Sequence, residues 1–115
     1  MDLALETLEM RRDRVAGSLT LIASLQAKSG QEDRLRAELE AMVEPSLAEE
    51  GCLAYRPYTD PNKPGAMVII EEWVDKAALD FHFTTPHFHK VAAALEEILA
   101  EPFQLKFLTD AEESV

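Results

Sequence analysis

Residues 52–73 read CLAYRPYTDPNKPGAMVIIEEW, and this stretch decides the architecture. Its middle, Asp60-Pro61-Asn62-Lys63-Pro64-Gly65, is made almost entirely of turn formers. Two prolines remove backbone donors and the glycine accepts a positive φ, so the chain must reverse there. The flanking runs, Cys52 to Thr59 and Ala66 to Trp73, therefore predict an antiparallel hairpin.

Upstream, Leu19, Leu21, Ala23 and Leu25 alternate with Thr20, Ile22, Ser24 and Gln26, the period of a further strand. Ser29-Gly30-Gln31-Glu32 has the spacing of a capping box. It predicts a helix with the apolar stripe Leu35, Leu39, Met42, Val43 and Leu47. Pro45 lies inside that stripe and predicts a kink or break one turn before the end, and Gly51 is expected to terminate the helix in the left-handed conformation. Downstream, Asp75 caps a short helix carrying Leu79 and Phe81 to Phe83. Thr85-Pro86 opens another helix with the stripe Phe88, Val91, Ala92, Leu95, Ile98 and Leu99. Pro102 stops it, and Phe103, Leu105 and Phe107 alternate with Gln104 and Lys106 in a last strand. The order β-α-β-β-α-β is that of an α+β, ferredoxin-like fold with an antiparallel sheet. We place this domain at 18–109, after an N-terminal extension (1–17) with Leu3, Leu5, Leu8 and Met10 on a short helix, and before a mobile acidic tail (110–115).

Two helices cover one face of such a sheet. Ile22, Val68 and Ile70 put apolar groups on the other, so a second cover is expected, and a second copy of the same sheet predicts a homodimer packed face to face.

Composition narrows the partners. With 115 residues, 47% hydrophobic and 29% charged, the chain suits one folded domain. Its formal charge of −11 repels nucleic-acid phosphates and anionic lipid surfaces, so neither is an expected partner. The longest apolar run, Ala66 to Ile70, is far too short for a membrane span, and the opening Met-Asp-Leu-Ala-Leu-Glu lacks a basic leader segment. Cys52 is the single cysteine, so no internal disulfide forms and the cytoplasm is the expected compartment.

No glycine-rich phosphate loop, cysteine pair or serine elbow is present. Glu71 and Trp73 share a strand face with Met67 and Ile69, and Leu79 places His82 within reach of that strand end. A carboxylate, an indole and an imidazole on an apolar pocket suit binding and deprotonation of a flat phenolic molecule. The same residues also read as a core tryptophan, a solvated strand-end acid and a surface histidine. Tyr55 and Tyr58 point to opposite faces; one of them suits a pocket wall, and each equally suits core or rim. His87 and His89 are two apart on one helix and separated from His82 by Pro86, so the histidines are not expected to converge and no metal site is assigned. Cys52 has no flanking base and reads as a small buried hydrophobe.

Four motifs in order, Glu50-Gly51-Cys52-Leu53-Ala54-Tyr55, Glu71-Glu72-Trp73, Ala78-Leu79-Asp80-Phe81-His82 and Thr85-Pro86-His87-Phe88, resemble the antibiotic biosynthesis monooxygenase domain family, nearest its small quinol monooxygenases. The resemblance covers about Ser18 to Leu108. It implies a dimeric α+β barrel and oxidation of a quinol or polyphenol by molecular oxygen, without metal, flavin or haem. The family's E-x-W pair falls on Glu71 and Trp73 and its helix histidine on His82. By that resemblance His82 is the base, oriented by Glu71 or a water, and Trp73, Tyr55, Met67 and Leu79 bound the substrate. As a partly exposed helix residue, His82 is expected to matter more to chemistry than to stability. Relatives that degrade haem use a first-strand asparagine, which this strand lacks. A non-catalytic dimer that binds small aromatics, or an isomerase of a small phosphorylated metabolite, are the other functions this scaffold admits.

Overall fold

A computed structural model describes residues 17–111. The expected N-terminal extension before Gly17 and the tail beyond residue 111 lie outside the described residues. In chain order the elements are β1 (Leu19–Gln26), α1 (Glu32–Ala41), α2 (Val43–Leu47), β2 (Cys52–Thr59), β3 (Ala66–Trp73), α3 (Lys76–His82), α4 (Pro86–Ile98) and β4 (Gln104–Leu108). The four strands form one sheet in the order β2-β3-β1-β4, each neighbouring pair antiparallel. This is the ferredoxin-like arrangement expected from the sequence.

The register sets which side chains share a face. Leu21 lies opposite Glu71 and Leu25 opposite Met67 across β1 and β3, while Tyr55 of β2 faces Glu71 from the other side. Leu21, Ala23, Leu25, Met67, Ile69 and Trp73 are buried beneath the helices, which contribute Leu35 and Leu39 from α1 and Val91, Leu95 and Ile98 from α4. Each such leucine, isoleucine, valine or methionine contributes roughly 1.5–3 kcal/mol by leaving water. Glu71 is the exception on this face, a carboxylate at a position whose neighbours in the pattern are apolar. The opposite face aligns Ile22 with Ile70 and Val68 with Tyr58. Ile70 is 38% exposed and Tyr58 46%.

Three local expectations need correction. Ser29 and Glu32 form no capping box: the helix begins at Glu32 after Gln31, whose N–H is bonded to the Lys28 carbonyl, and no side chain among the described residues caps it. A tight turn over Gly30, at φ +89°, displaces Ser29 from the cap position. Gly51 is not left-handed; the positive-φ glycines are Gly17, Gly30 and Gly65. Its role is close approach, because a Cβ there would overlap the Cβ of Ala78 in α3. Leu47 is exposed, since the break resets the helical phase and buries Ser46 instead.

The break itself lies where Pro45 predicts it. Pro45 has no N–H for the Ala41 carbonyl and its ring crowds that carbonyl, so α1 stops at Ala41 and α2 starts afresh, with Ser46 N–H bonded to the Met42 carbonyl. This turns the chain early and carries the loop 48–51 back toward α3.

Candidate active site

His82 is the last residue of α3, and its position is fixed by two helix caps. The Asp75 carboxylate accepts the Ala78 N–H at 2.8 Å, starting α3. Thr85 caps α4 by accepting the Phe88 N–H at 3.2 Å, while its hydroxyl donates to the His82 carbonyl at 2.7 Å. One threonine thus fastens the end of α3 to the start of α4.

His82 is 2% exposed, and its ring lies among aromatic rings, 4.5 Å from Trp73, 5.4 Å from Phe88 and 5.9 Å from Tyr55 between centroids. The expectation of a partly exposed helix residue is therefore wrong for this position. The sequence pattern showed that His82 follows Leu79, but not that α4 folds back over it.

His82 Nδ1 lies 2.6 Å from Glu49 Oε2, and His87 Nε2 lies 2.7 Å from the same oxygen. A carboxylate oxygen accepts, so both imidazoles donate to it, and the lone pair of His82 is left on Nε2. Glu49 stands in the loop between α2 and β2. It is adjacent to the Glu50-Gly51-Cys52 motif, yet nothing in the local pattern singled it out. Its placement depends on Gly51: the absent Cβ lets the loop press on Ala78, one turn before His82 on α3. The histidines were expected not to converge; His82 and His87 do. The interruption between α3 and α4 reverses the chain, so five residues of separation bring the two rings within 5.8 Å.

Glu71 is 5% exposed and accepts a hydrogen bond from the Trp73 indole N–H at 3.0 Å. Its bond is with Trp73, and Glu49 takes the orienting position beside His82 that was expected of Glu71. Burial pushes the Glu71 carboxyl up to about 7, the Trp73 donor pulling the other way and the Glu49 carboxylate adding to the rise. Burial also holds the His82 imidazole below its ordinary value, against the opposing pull of Glu49. Near neutral pH the site therefore holds a neutral imidazole and a carboxyl poised between its two forms. The Cys52 thiol is pushed up to about 11, chiefly by burial and then by Glu49 and Glu71, which makes it a poor nucleophile. The Tyr55 phenol is raised as well, by burial and by Glu71.

Tyr55, Glu71 and His82 line a cleft between sheet and helices whose enclosed volume is about 30 Å³, with Phe83, Phe88 and Phe103 among its other walls. Trp73, Met67 and Leu79 were expected to bound this space. They are buried core side chains and are not on its lining, Trp73 instead backing the His82 ring.

The raised Glu71 value has a consequence for stability. From about pH 4.5 upward the unfolded chain ionises at this residue while the folded chain keeps its proton until about pH 7. Stability is therefore lost across that window as pH rises. Glu71→Gln, which retains an acceptor for Trp73, should gain on the order of 3 kcal/mol relative to the parent between pH 4 and pH 8. Parallel denaturant curves at both pH values measure this. A parent–variant difference that does not change with pH would contradict the placement of Glu71.

The sheet order, the buried carboxyl–indole pair and the imidazole at the helix end define an α+β, ferredoxin-like protein with titratable side chains on an apolar cleft. Residues 18–94 match the model of the antibiotic biosynthesis monooxygenase family, and the chain belongs to that family. It is 32% identical over 88 residues to the probable quinol monooxygenase YgiN of Escherichia coli, covering 68% of this chain and 85% of that protein. It resembles the solved structure of Rv0793 from Mycobacterium tuberculosis with a TM-score of 0.78 and 30% identity, over 86% of this chain and all of that one. An uncharacterized Synechocystis protein, sll1783, is 31% identical over 94 residues, 82% of this chain; the match spans 64% of that protein's length.

Proposed function

We propose that this protein is a cytoplasmic monooxygenase that oxidises a small quinol or polyphenol with molecular oxygen and needs no cofactor. The observation that carries the reading is His82, buried on the wall of an apolar cleft with Nδ1 committed to the Glu49 carboxylate, which assigns the lone pair of the neutral ring to Nε2. Family membership and the quinol monooxygenase name of YgiN support it. His82 Nε2 takes the phenolic proton, and the resulting anion gives one electron to oxygen. The phenoxyl radical and superoxide combine at a ring carbon, and the proton returns to the peroxide. Loss of water across that carbon leaves a carbonyl, so one oxygen atom enters the ring and the other leaves as water. The protein's part is proton transfer in a cleft that excludes bulk water.

The isomerase reading is disfavoured by the cleft itself, whose lining among the described residues has no lysine or arginine to receive a phosphate. Oxygen-electrode measurements with benzo- and naphthohydroquinones test the proposal. Uptake should exceed autoxidation, with one oxygen consumed per quinone formed and no return of oxygen on adding catalase. Saturable binding of the same quinols without uptake would establish the sequestering dimer instead.

A homodimer through the outer sheet face belongs to this proposal. Ile22, Val68, Ile70 and Tyr58 form a contiguous apolar patch there. Sedimentation equilibrium at micromolar concentration should return about twice 12.9 kDa. A monomer would leave that patch requiring another cover. Among the described residues no helix is long and apolar enough to cross a membrane.

A further inference from the structure

Glu49, His82 and His87 each offer one ligand atom, and these atoms all lie within 4.8 Å of one another. They come from three separate segments: the loop before β2, the end of α3 and the first turn of α4. The Glu49 side chain is 7% exposed, yet its second oxygen, Oε1, is buried with no hydrogen-bond partner among the described residues. A cation gripped by both oxygens of this carboxylate would relieve it. The His87 side chain is 23% exposed and opens on a surface groove, which gives an ion a way in. Lys90 lines the same groove and opposes entry, whereas the net charge of −11 favours accumulation of cations around the chain.

We propose that Glu49, His82 and His87 form a binding site for a divalent transition-metal ion of the zinc type, and that its occupancy switches the protein off. Two imidazoles and a carboxylate are the donor set such ions prefer, with a fourth position left to water. Metal–ligand bonds of ~2.0–2.2 Å set tetrahedral ligand atoms ~3.3–3.5 Å apart. The present separations of 2.6 and 2.7 Å open by less than ~1 Å once the bridging protons leave, and the two imidazole nitrogens, within 4.8 Å of each other, settle at the same spacing. On each neutral imidazole the proton moves to the opposite nitrogen. For His82 this means metal on Nδ1 and a proton on Nε2, which removes the lone pair that serves as base. The site stands on geometry alone; only its inhibitory effect rests on the proposed monooxygenase reaction.

The test uses the full, tag-free chain freed of metal by chelating resin, with Co²⁺ as the probe. One Co²⁺ per chain should bind and give the visible bands of a tetrahedral ion, and Zn²⁺ should displace it. His87→Ala should weaken binding at least ~10-fold, as should Glu49→Gln if the first variant folds poorly, while His89→Ala should bind as the parent does. A spectrum identical to that of free aqueous Co²⁺, or binding indifferent to both His87→Ala and Glu49→Gln, overturns the site. Quinol-dependent uptake should fall in proportion to occupancy and return on chelation. Uptake undiminished at full occupancy overturns the switch, and since binding is read by spectroscopy, a parent inactive towards quinols would not obscure the result.

Discussion

His82→Ala should lower quinol-dependent oxygen uptake at least ~100-fold, the range a positioned general base contributes. The variant will also melt lower than the parent. The buried ring is removed from among Trp73, Tyr55 and Phe88, and Glu49 loses one of its two donors. Turnover must therefore be compared at a temperature below both transitions. Glu49→Gln separates chemistry from folding, because it keeps side-chain volume and leaves His82 in place. The Glu49 carboxylate raises the affinity of His82 for a proton, so removing its charge should move the acidic limb of the pH–rate profile to lower pH. Full turnover by His82→Ala, or a profile that does not move in Glu49→Gln, would remove the imidazole–carboxylate pair from the reaction.

The largest effect on folding is expected from Trp73→Ala, which should cost ~3–5 kcal/mol in chemical denaturation. Trp73 is fully buried at the end of β3, opposite Leu19 and Cys52, and its ring supports the His82 imidazole. Its N–H is also the hydrogen-bond donor to Glu71, whose carboxyl would be left less satisfied and with a still higher proton affinity. Trp73→Phe keeps much of the volume but not the donor. It should fall between parent and alanine variant, at a cost of ~1–3 kcal/mol. A loss below ~1 kcal/mol for Trp73→Ala would mean that the indole is neither packed nor bonded as described.

The fold was legible because each strand carries its own period. Met67, Ile69, Glu71 and Trp73 alternate with Val68, Ile70 and Glu72, so the common face of the carboxyl and the indole follows from spacing alone. Spacing does not give depth. Met67 and Leu79 share the face of the cleft but lie in the packed core, not on its wall. The Glu49–His82 bond was not legible, since it joins a loop residue to a helix end 33 positions away. That contact is decided by the early break at Pro45 and the close passage of Gly51 over Ala78. His87 was misread for a related reason. Helical spacing predicts side-chain direction only within one helix, and His82 and His87 belong to two.

The fit of Gly51 against Ala78 makes the site's proton affinity a matter of clearance. The loop carrying Glu49 rests at Gly51 directly on the Ala78 methyl of the helix carrying His82, with Val74 beside it. A single methyl group at residue 51 would act as a shim, lifting the acid away from the base it steadies without altering either. Basicity in this protein is thereby open to adjustment at two positions that bear no charge, residues 51 and 78, and selection acting there would leave every ionisable residue unchanged.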